Sequence, residues 1–269
     1  MELERLGRTD ALVPKLGIGT YMMERDPESA VSAIRRAIEL GMGLIDTAEI
    51  YGWGKVEEIV GRAVEPYDRE EYFIVTKVWV TNLKRRDVLK SAAKSLKRLK
   101  TGYIDLYLIH WPTPSVKLAE TLGAMEELVS EGLIRYIGVS NFDLSLLREA
   151  VLTLKSREIA ANQVKYSLLD RWVEGGLLQY CQEEGITLMA YSPLEKGLLA
   201  ARPPDQLKAV AARVGRTPAQ VALNWLISKP RVIAIPKASR VEHVEENYGA
   251  VGWRLSEEDA RLLDSLAPR

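Results

Sequence analysis

The sequence predicts an α/β protein folded as a (β/α)8 TIM barrel, and three observations lead there. Short apolar runs begin near residues 16, 43, 72, 103, 133, 159, 186 and 231, and all but the last interval between them span 26 to 31 residues. Each interval carries apolar residues at helical spacing, so strands buried on both faces alternate with amphipathic helices. The third observation is negative. A doubly wound sheet would place a glycine-rich phosphate loop after its first strand, whereas Gly17-Ile18-Gly19-Thr20-Tyr21-Met22 has methionine at the third glycine position.

The elements follow in order. Residues 1–15 alternate weakly around Gly7-Arg8-Thr9-Asp10, which predicts a short β-hairpin, placed here as a lid. After the first barrel strand at 16–20, Asp26-Pro27-Glu28 opens a helix with an N-cap, a first-turn proline and an acid facing the dipole. Ala30, Val31, Ile34, Ala37 and Ile38 line its inner face and Gly41 closes it. Further helices are expected at about 56–65, 87–99, 115–131, 143–155, 174–184 and 217–228. Capping boxes mark Thr217-Pro218-Ala219-Gln220 and Ser239-Arg240-Val241-Glu242, the latter opening the last barrel helix. Another at Ser256 starts an extra C-terminal helix. With no linker or low-complexity stretch, residues 1–269 are expected to form one domain.

Composition narrows the function classes. Lys+Arg and Asp+Glu balance at 37 each, which gives no reason to expect a nucleic-acid or membrane partner. The single cysteine, Cys181, excludes an internal disulfide and suits a reducing compartment. No apolar segment resembles a signal peptide or a membrane span. A cytoplasmic monomer is the expectation. Only His110 and His243 are present, too few for a typical zinc hydrolase, so no metal is expected.

Three apolar runs end in groups with chemistry. Leu44-Ile45-Asp46 ends in a carboxylate, the run from Tyr72 ends in Lys77, and the run from Ile104 ends in His110; Tyr51 follows Asp46 by five residues. Barrel active sites lie at the C-terminal strand ends, so Asp46, Tyr51, Lys77 and His110 are expected to meet there. Singly, each has an ordinary reading: a loop cap, rim packing, a solvated strand end, a hydrogen-bonded imidazole. Together they suit proton donation by a phenol. An isolated tyrosine titrates near about 10. A neighbouring ammonium would lower that value, and a carboxylate would hold the ammonium charged. His110 would orient a carbonyl oxygen. No side chain supplies hydride, so a nicotinamide cofactor is implied.

Asp46 and Tyr51 within Gly43-Leu-Ile-Asp-Thr-Ala-Glu-Ile-Tyr-Gly52, Lys77, and His110-Trp111-Pro112 resemble the catalytic tetrad of the aldo-keto reductases. Gly138-Val-Ser-Asn-Phe142, Tyr191-Ser-Pro-Leu194 and Ile235-Pro-Lys-Ala-Ser239 with Glu246-Asn247 extend the likeness over nearly the whole chain. The resemblance implies Tyr51 as general acid, Lys77 and Asp46 as its tuners and His110 as the carbonyl-orienting group. It further implies that Ser140, Asn141 and Gln163 bind a nicotinamide carboxamide, that Tyr191 stacks on the ring, and that Ser192 and Leu194 meet the pyrophosphate. Gly19, Thr20, Tyr21 and Asp46 would border the same cofactor, and Glu246 and Asn247 its adenine.

Lys237, Ser239 and Arg240 surround the start of a helix, where free amides already favour an anion. That suits a 2′-phosphate and so NADPH. His243 stands where many NADP-preferring members carry arginine, so use of NADH as well is expected. Tyr21, Trp53, Trp79, His110 and Trp111 are the candidate substrate walls. The chain ends at Ala267-Pro268-Arg269 without the tail that walls the pocket in longer members, which implies an open pocket and broad acceptance of small carbonyl compounds. The rival readings are a cofactor-binding regulatory subunit of the same fold and a barrel isomerase or lyase of sugar phosphates.

Overall fold

In a computed structural model that describes residues 1–154 and 158–266, the apolar runs form one ring of parallel strands. An antiparallel hairpin, β1 (Leu3–Arg5) and β2 (Leu12–Pro14), precedes it. The ring comprises β3 (Ile18–Gly19), β4 (Leu44–Asp46), β5 (Phe73–Val78), β6 (Ile104–Ile109), β7 (Ile134–Ser140), β8 (Ile159–Lys165), β9 (Thr187–Tyr191) and β10 (Val232–Ala234). Each strand pairs in parallel with the next in sequence. Parallel bridges Leu16–Ala234 and Gly19–Lys237 join the two edges and close the barrel. Closure leaves no open sheet edge.

Helices cover the outside: α1 (Pro27–Glu39), α2 (Lys55–Val64), α3 (Arg85–Leu99), α4 (Leu118–Ser130), α5 (Leu144–Thr153) and α6 (Leu177–Glu183) follow successive strands. The long interval before β10 holds α7 (Leu198–Ala201), α8 (Asp205–Val214) and α9 (Pro218–Ile227), of which only α9 was expected. Then come α10 (Val241–Tyr248) and the extra helix α11 (Glu257–Asp264). The expected helix at 143–155 ends at Thr153, and its last residue lies outside the described residues, as do 267–269. Among the described residues no helix is long and apolar enough to cross a membrane.

Local signals explain most boundaries. Asp26 accepts from the Ser29 amide at 3.2 Å ahead of Pro27, and Thr217 and Gln220 form both bonds of their capping box. Each such cap is worth about 1 kcal/mol. The capping box expected at Ser239 does not form. Arg240 occupies the N-cap of α10, while the Ser239 hydroxyl accepts from Lys237 Nζ at 2.9 Å.

Two apolar layers hold the barrel. The larger lies between strands and helices; the smaller fills the interior with Leu44, Val75, Leu106, Leu108, Met189 and Ile233. Leu6 and Val13 of the hairpin are fully buried in that interior layer. At about 1.5–3 kcal/mol for burying such a side chain, the hairpin is tightly held. It sits at the N-terminal strand ends, where the Gly7 amide donates to Thr187 Oγ1 at 2.8 Å. The lid expectation is therefore corrected: the hairpin closes the floor, opposite the polar strand ends. Leu6 shows why, because an apolar hairpin face is stable only where an apolar layer meets it.

Candidate active site

Register brings the polar strand ends to one level. Asp46 ends β4, Lys77 lies one residue before the end of β5, and His110 follows β6 with its amide donating to Val78 O at 3.0 Å. Lys77 is wholly buried and its Nζ donates to Asp46 Oδ2 at 2.9 Å and to Thr47 O at 2.7 Å. The other Asp46 oxygen, Oδ1, lies 2.8 Å from the same ammonium and accepts from Gln163 Nε2 at 2.7 Å. Below the pair lies the apolar interior layer. Burial pushes the Asp46 carboxyl up and the Lys77 ammonium down from their ordinary values, while each charge opposes the other's shift.

Tyr51 caps this pair from a short turn, Tyr51–Gly54, in which Gly52, Trp53 and Gly54 all have positive φ. For tryptophan that backbone region is strained. Lys77 Nζ lies 5.1 Å from the Tyr51 ring centroid, and the Tyr51 ring meets His110 and Tyr21 edge-on at 5.7 and 5.3 Å. The four expected residues thus come together. The electrostatics differ from expectation in one respect. Burial pushes the Tyr51 phenol well above its ordinary value, with the Asp46 charge adding to it. The Lys77 ammonium, 5.1 Å from the ring centroid and hydrogen-bonded to Asp46 and Thr47 O, does not reverse that rise. The phenol is held in its protonated form.

His110 is 8% exposed, and burial, with Lys77 nearby, pushes its pKa down to about 3. The ring is neutral across the physiological range. Among the described residues its buried Nδ1 has no hydrogen-bond partner, and Trp79 packs edge-on at 5.1 Å. Glu49, which sequence reasoning passed over, fixes that wall by accepting from the Trp79 amide at 2.6 Å and from Asn82 Nδ2 at 3.0 Å. Of the other aromatic candidates, Trp53, Tyr21 and Trp111 are 87%, 56% and 44% exposed around the mouth.

A polar ledge continues from His110. Asn141, with φ of 62°, donates to His110 O and to Ser140 Oγ, and accepts from Tyr191 OH at 2.9 Å. Ser140 donates to Gln163 O at 2.9 Å, and Thr20 Oγ1 donates to Asp46 O at 2.8 Å beside buried Gly19. The positive φ of Asn141 explains why asparagine stands there. Ser192 is also left-handed at φ 50°, in a turn where its carbonyl accepts from the Glu195 amide at 2.9 Å beside half-buried Leu194.

Beyond this turn lie Lys237 and Arg240, both exposed; Arg240 donates to His243 Nε2 at 3.0 Å. Among the described residues neither cation makes an ion pair with a carboxylate. Burial pushes the Lys237 ammonium down, and the Arg25 and Arg240 charges add to that. Arg25 lies on the β3–α1 loop and was missed in the sequence, because the Gly19–Lys237 bridge that brings the loop close is a contact between chain ends. Two exposed cations together suit an anion, and Glu246 and buried Asn247 continue the surface on α10. An amide ledge, a stackable Tyr191 ring and this cationic end in series fit a phosphorylated dinucleotide.

The model of the aldo/keto reductase family matches residues 15–268. The methylglyoxal reductase YeaE of Escherichia coli is 39% identical over 268 residues, covering 96% of this chain and 93% of that protein. Among solved structures, the thermostable aldo-keto reductase Tm1743 in complex with the inhibitor epalrestat superposes with a TM-score of 0.94 at 49% identity, covering 98% of this chain and 99% of that one. An aldo/keto reductase from Klebsiella pneumoniae in complex with NADP and acetate gives 0.90 at 38% identity, covering 99% and 95%.

Proposed function

The chain belongs to the aldo/keto reductase family, and from that premise we propose that it reduces small aldehydes and ketones, 2-oxoaldehydes such as methylglyoxal among them, with NADPH. One observation carries the reading: a buried Lys77–Asp46 pair lies beneath a protonated Tyr51 and beside a neutral His110 at one mouth. When bound, the cofactor supplies a hydride to the carbonyl carbon. The chain's own groups handle the oxygen. His110 donates a hydrogen bond that orients it without adding a positive charge. As carbon is reduced, negative charge builds on that oxygen, and the Tyr51 O–H gives it a proton. The phenolate left on Tyr51 is stabilised by the nearby Lys77 ammonium, which Asp46 and Thr47 O hold in place.

Ser140, Asn141, Gln163 and Tyr191 would hold the nicotinamide end. Ser192 and Leu194 would hold the pyrophosphate, with Gly19, Thr20 and Tyr21 opposite. Lys237, Ser239 and Arg240 would take the 2′-phosphate, and Glu246 and Asn247 the adenine. His243 rather than a permanent cation at the phosphate end supports dual use of NADH. The exposed Trp53, Tyr21 and Trp111 support broad acceptance of small carbonyl substrates, and buried, free Cys181 suits a cytoplasmic location. The test is loss of reduced-cofactor absorbance with a panel of aldehydes. Tyr51→Phe should keep NADPH binding and lose about 10²- to 10⁴-fold in kcat. Full activity in that variant would remove Tyr51 as the acid, and no turnover of any aldehyde would overturn the reductase reading.

A further inference from the structure

Behind the β5 strand, on its helix side, lies a buried polar relay that the chemistry above does not use. The Glu57 side chain is fully buried in the first turn of α2. Its Oε1 accepts from Thr76 Oγ1 at 2.6 Å, and its Oε2 accepts from Arg98 Nε at 2.7 Å and lies 2.6 Å from Arg98 Nη2. Ser95, also buried, accepts from Arg98 at 3.3 Å. Replacing such an ion pair by apolar side chains is often neutral for stability, so its presence calls for a reason beyond stability.

The neighbours supply one. Thr76 immediately precedes Lys77, and Glu57 is one of the two carboxylates whose charge favours the Lys77 ammonium, Asp46 being the other. Arg98 reaches the opposite partner. Its guanidinium packs against the α-carbon of Gly54, where an added Cβ would come within 2.8 Å of Arg98 Cδ and 2.9 Å of Nε. Gly54 (φ 95°) ends the turn that carries Tyr51, and the Glu24 side chain packs against Gly52 in the same turn. We propose that Glu57 and Arg98 are positioning residues for proton donation, an ion pair that locks the Tyr51 turn to the strand bearing Lys77. A left-handed Gly-Trp-Gly turn does not hold one conformation unaided; the Arg98 guanidinium, fixed by Glu57 and Ser95, gives it a wall. The inference rests on the reading of Tyr51 and Lys77 as the proton-donating pair.

The experiment uses the full-length protein as Arg98→Met, Arg98→Lys, Glu57→Gln and Tyr51→Phe, with NADPH and a reactive small aldehyde. NADPH affinity is read from quenching of tryptophan fluorescence, alongside kcat across pH and the thermal midpoint. Arg98→Met and Glu57→Gln should bind NADPH within about twofold of wild type and lose roughly ten- to a hundredfold in kcat. Arg98→Lys, which keeps the charge, should recover part of that loss. Glu57→Gln should also move the high-pH limb of kcat downward, because Lys77 loses a charge that favours its ammonium. Arg98 is 20% exposed, so Arg98→Met decides the matter if Glu57→Gln does not fold. Wild-type kcat and an unmoved pH limb, with Tyr51→Phe inactive, would overturn the positioning role alone. So would losses in kcat that only track a smaller NADPH-binding fraction. An active Tyr51→Phe would instead overturn the reading beneath it.

Discussion

His110 stays uncharged because of where it sits: a buried ring beside the Lys77 ammonium, with its pKa pushed down to about 3. In the unfolded chain the same ring takes a proton near its ordinary value of about 6.5. Between those values the unfolded state binds more protons, so this group's contribution to stability falls as pH falls through that window and is unchanged above it. Urea unfolding at pH 7 and pH 4.5 should therefore cost wild type about 2 kcal/mol more than it costs His110→Gln. Equal losses would mean that His110 is charged in the folded protein. Asp46, Lys77 and His110 were legible in the sequence because each lies at or next to the end of an apolar run. Glu57 was not. An acid in the first turn of a helix reads as a dipole partner, and nothing in Lys55-Val56-Glu57-Glu58 separates the wholly buried Glu57 from the exposed Glu58 beside it. The raised phenol of Tyr51 was also illegible, since it depends first on how deeply the fold buries the ring and then on the Asp46 charge beside it.

At the scale of elements, apolar runs carried the barrel strands, and period and caps carried most helices, because a run and a 3.6-residue repeat are both local properties. The helices α7 and α8 were missed because they interrupt the strand–helix alternation that the rest of the chain keeps. The capping box at Ser239 failed for a related reason: Lys237 takes the serine hydroxyl that the helix end would have used. At the base of the barrel, Arg69 shows how a loop can fasten two strands. Its guanidinium lies 3.9 Å from the Tyr103 ring centroid, donates to Tyr72 O at 3.0 Å and to Tyr103 O at 3.1 Å, and pairs with Asp105. The Asp105 side chain is 2% exposed and accepts from the Ile74 amide at 2.8 Å. Burial pushes its carboxyl up and Arg69 opposes that. Among the described residues, Arg69→Ala leaves the buried carboxylate with the more exposed Arg135 as its one cationic partner, and should cost roughly 3 kcal/mol. A lower urea midpoint at unchanged slope would register it; an unmoved midpoint would show that Arg135 suffices.

The whole molecule depends on a seam. Its first and last strands meet through the bridges Leu16–Ala234 and Gly19–Lys237, which bring Arg25 toward Lys237 and Arg240. Lys237→Ala with Arg240→Ala should weaken NADPH binding ten- to a hundredfold or so and leave NADH within about twofold, the loss expected for two charge-assisted bonds. Equal weakening of both cofactors would remove the 2′-phosphate assignment. The hairpin at the other end has a consequence of its own. With Leu6 and Val13 driven into the interior, the barrel is a corked cup rather than a pipe. An apolar layer that includes Leu6 and Val13 lies beneath Lys77 and Asp46, so on the function proposed above a proton given up by Tyr51 would be replaced through the rim by which substrate would arrive. On that proposal, recharging of the acid and exchange of product for substrate would share one doorway and would take turns.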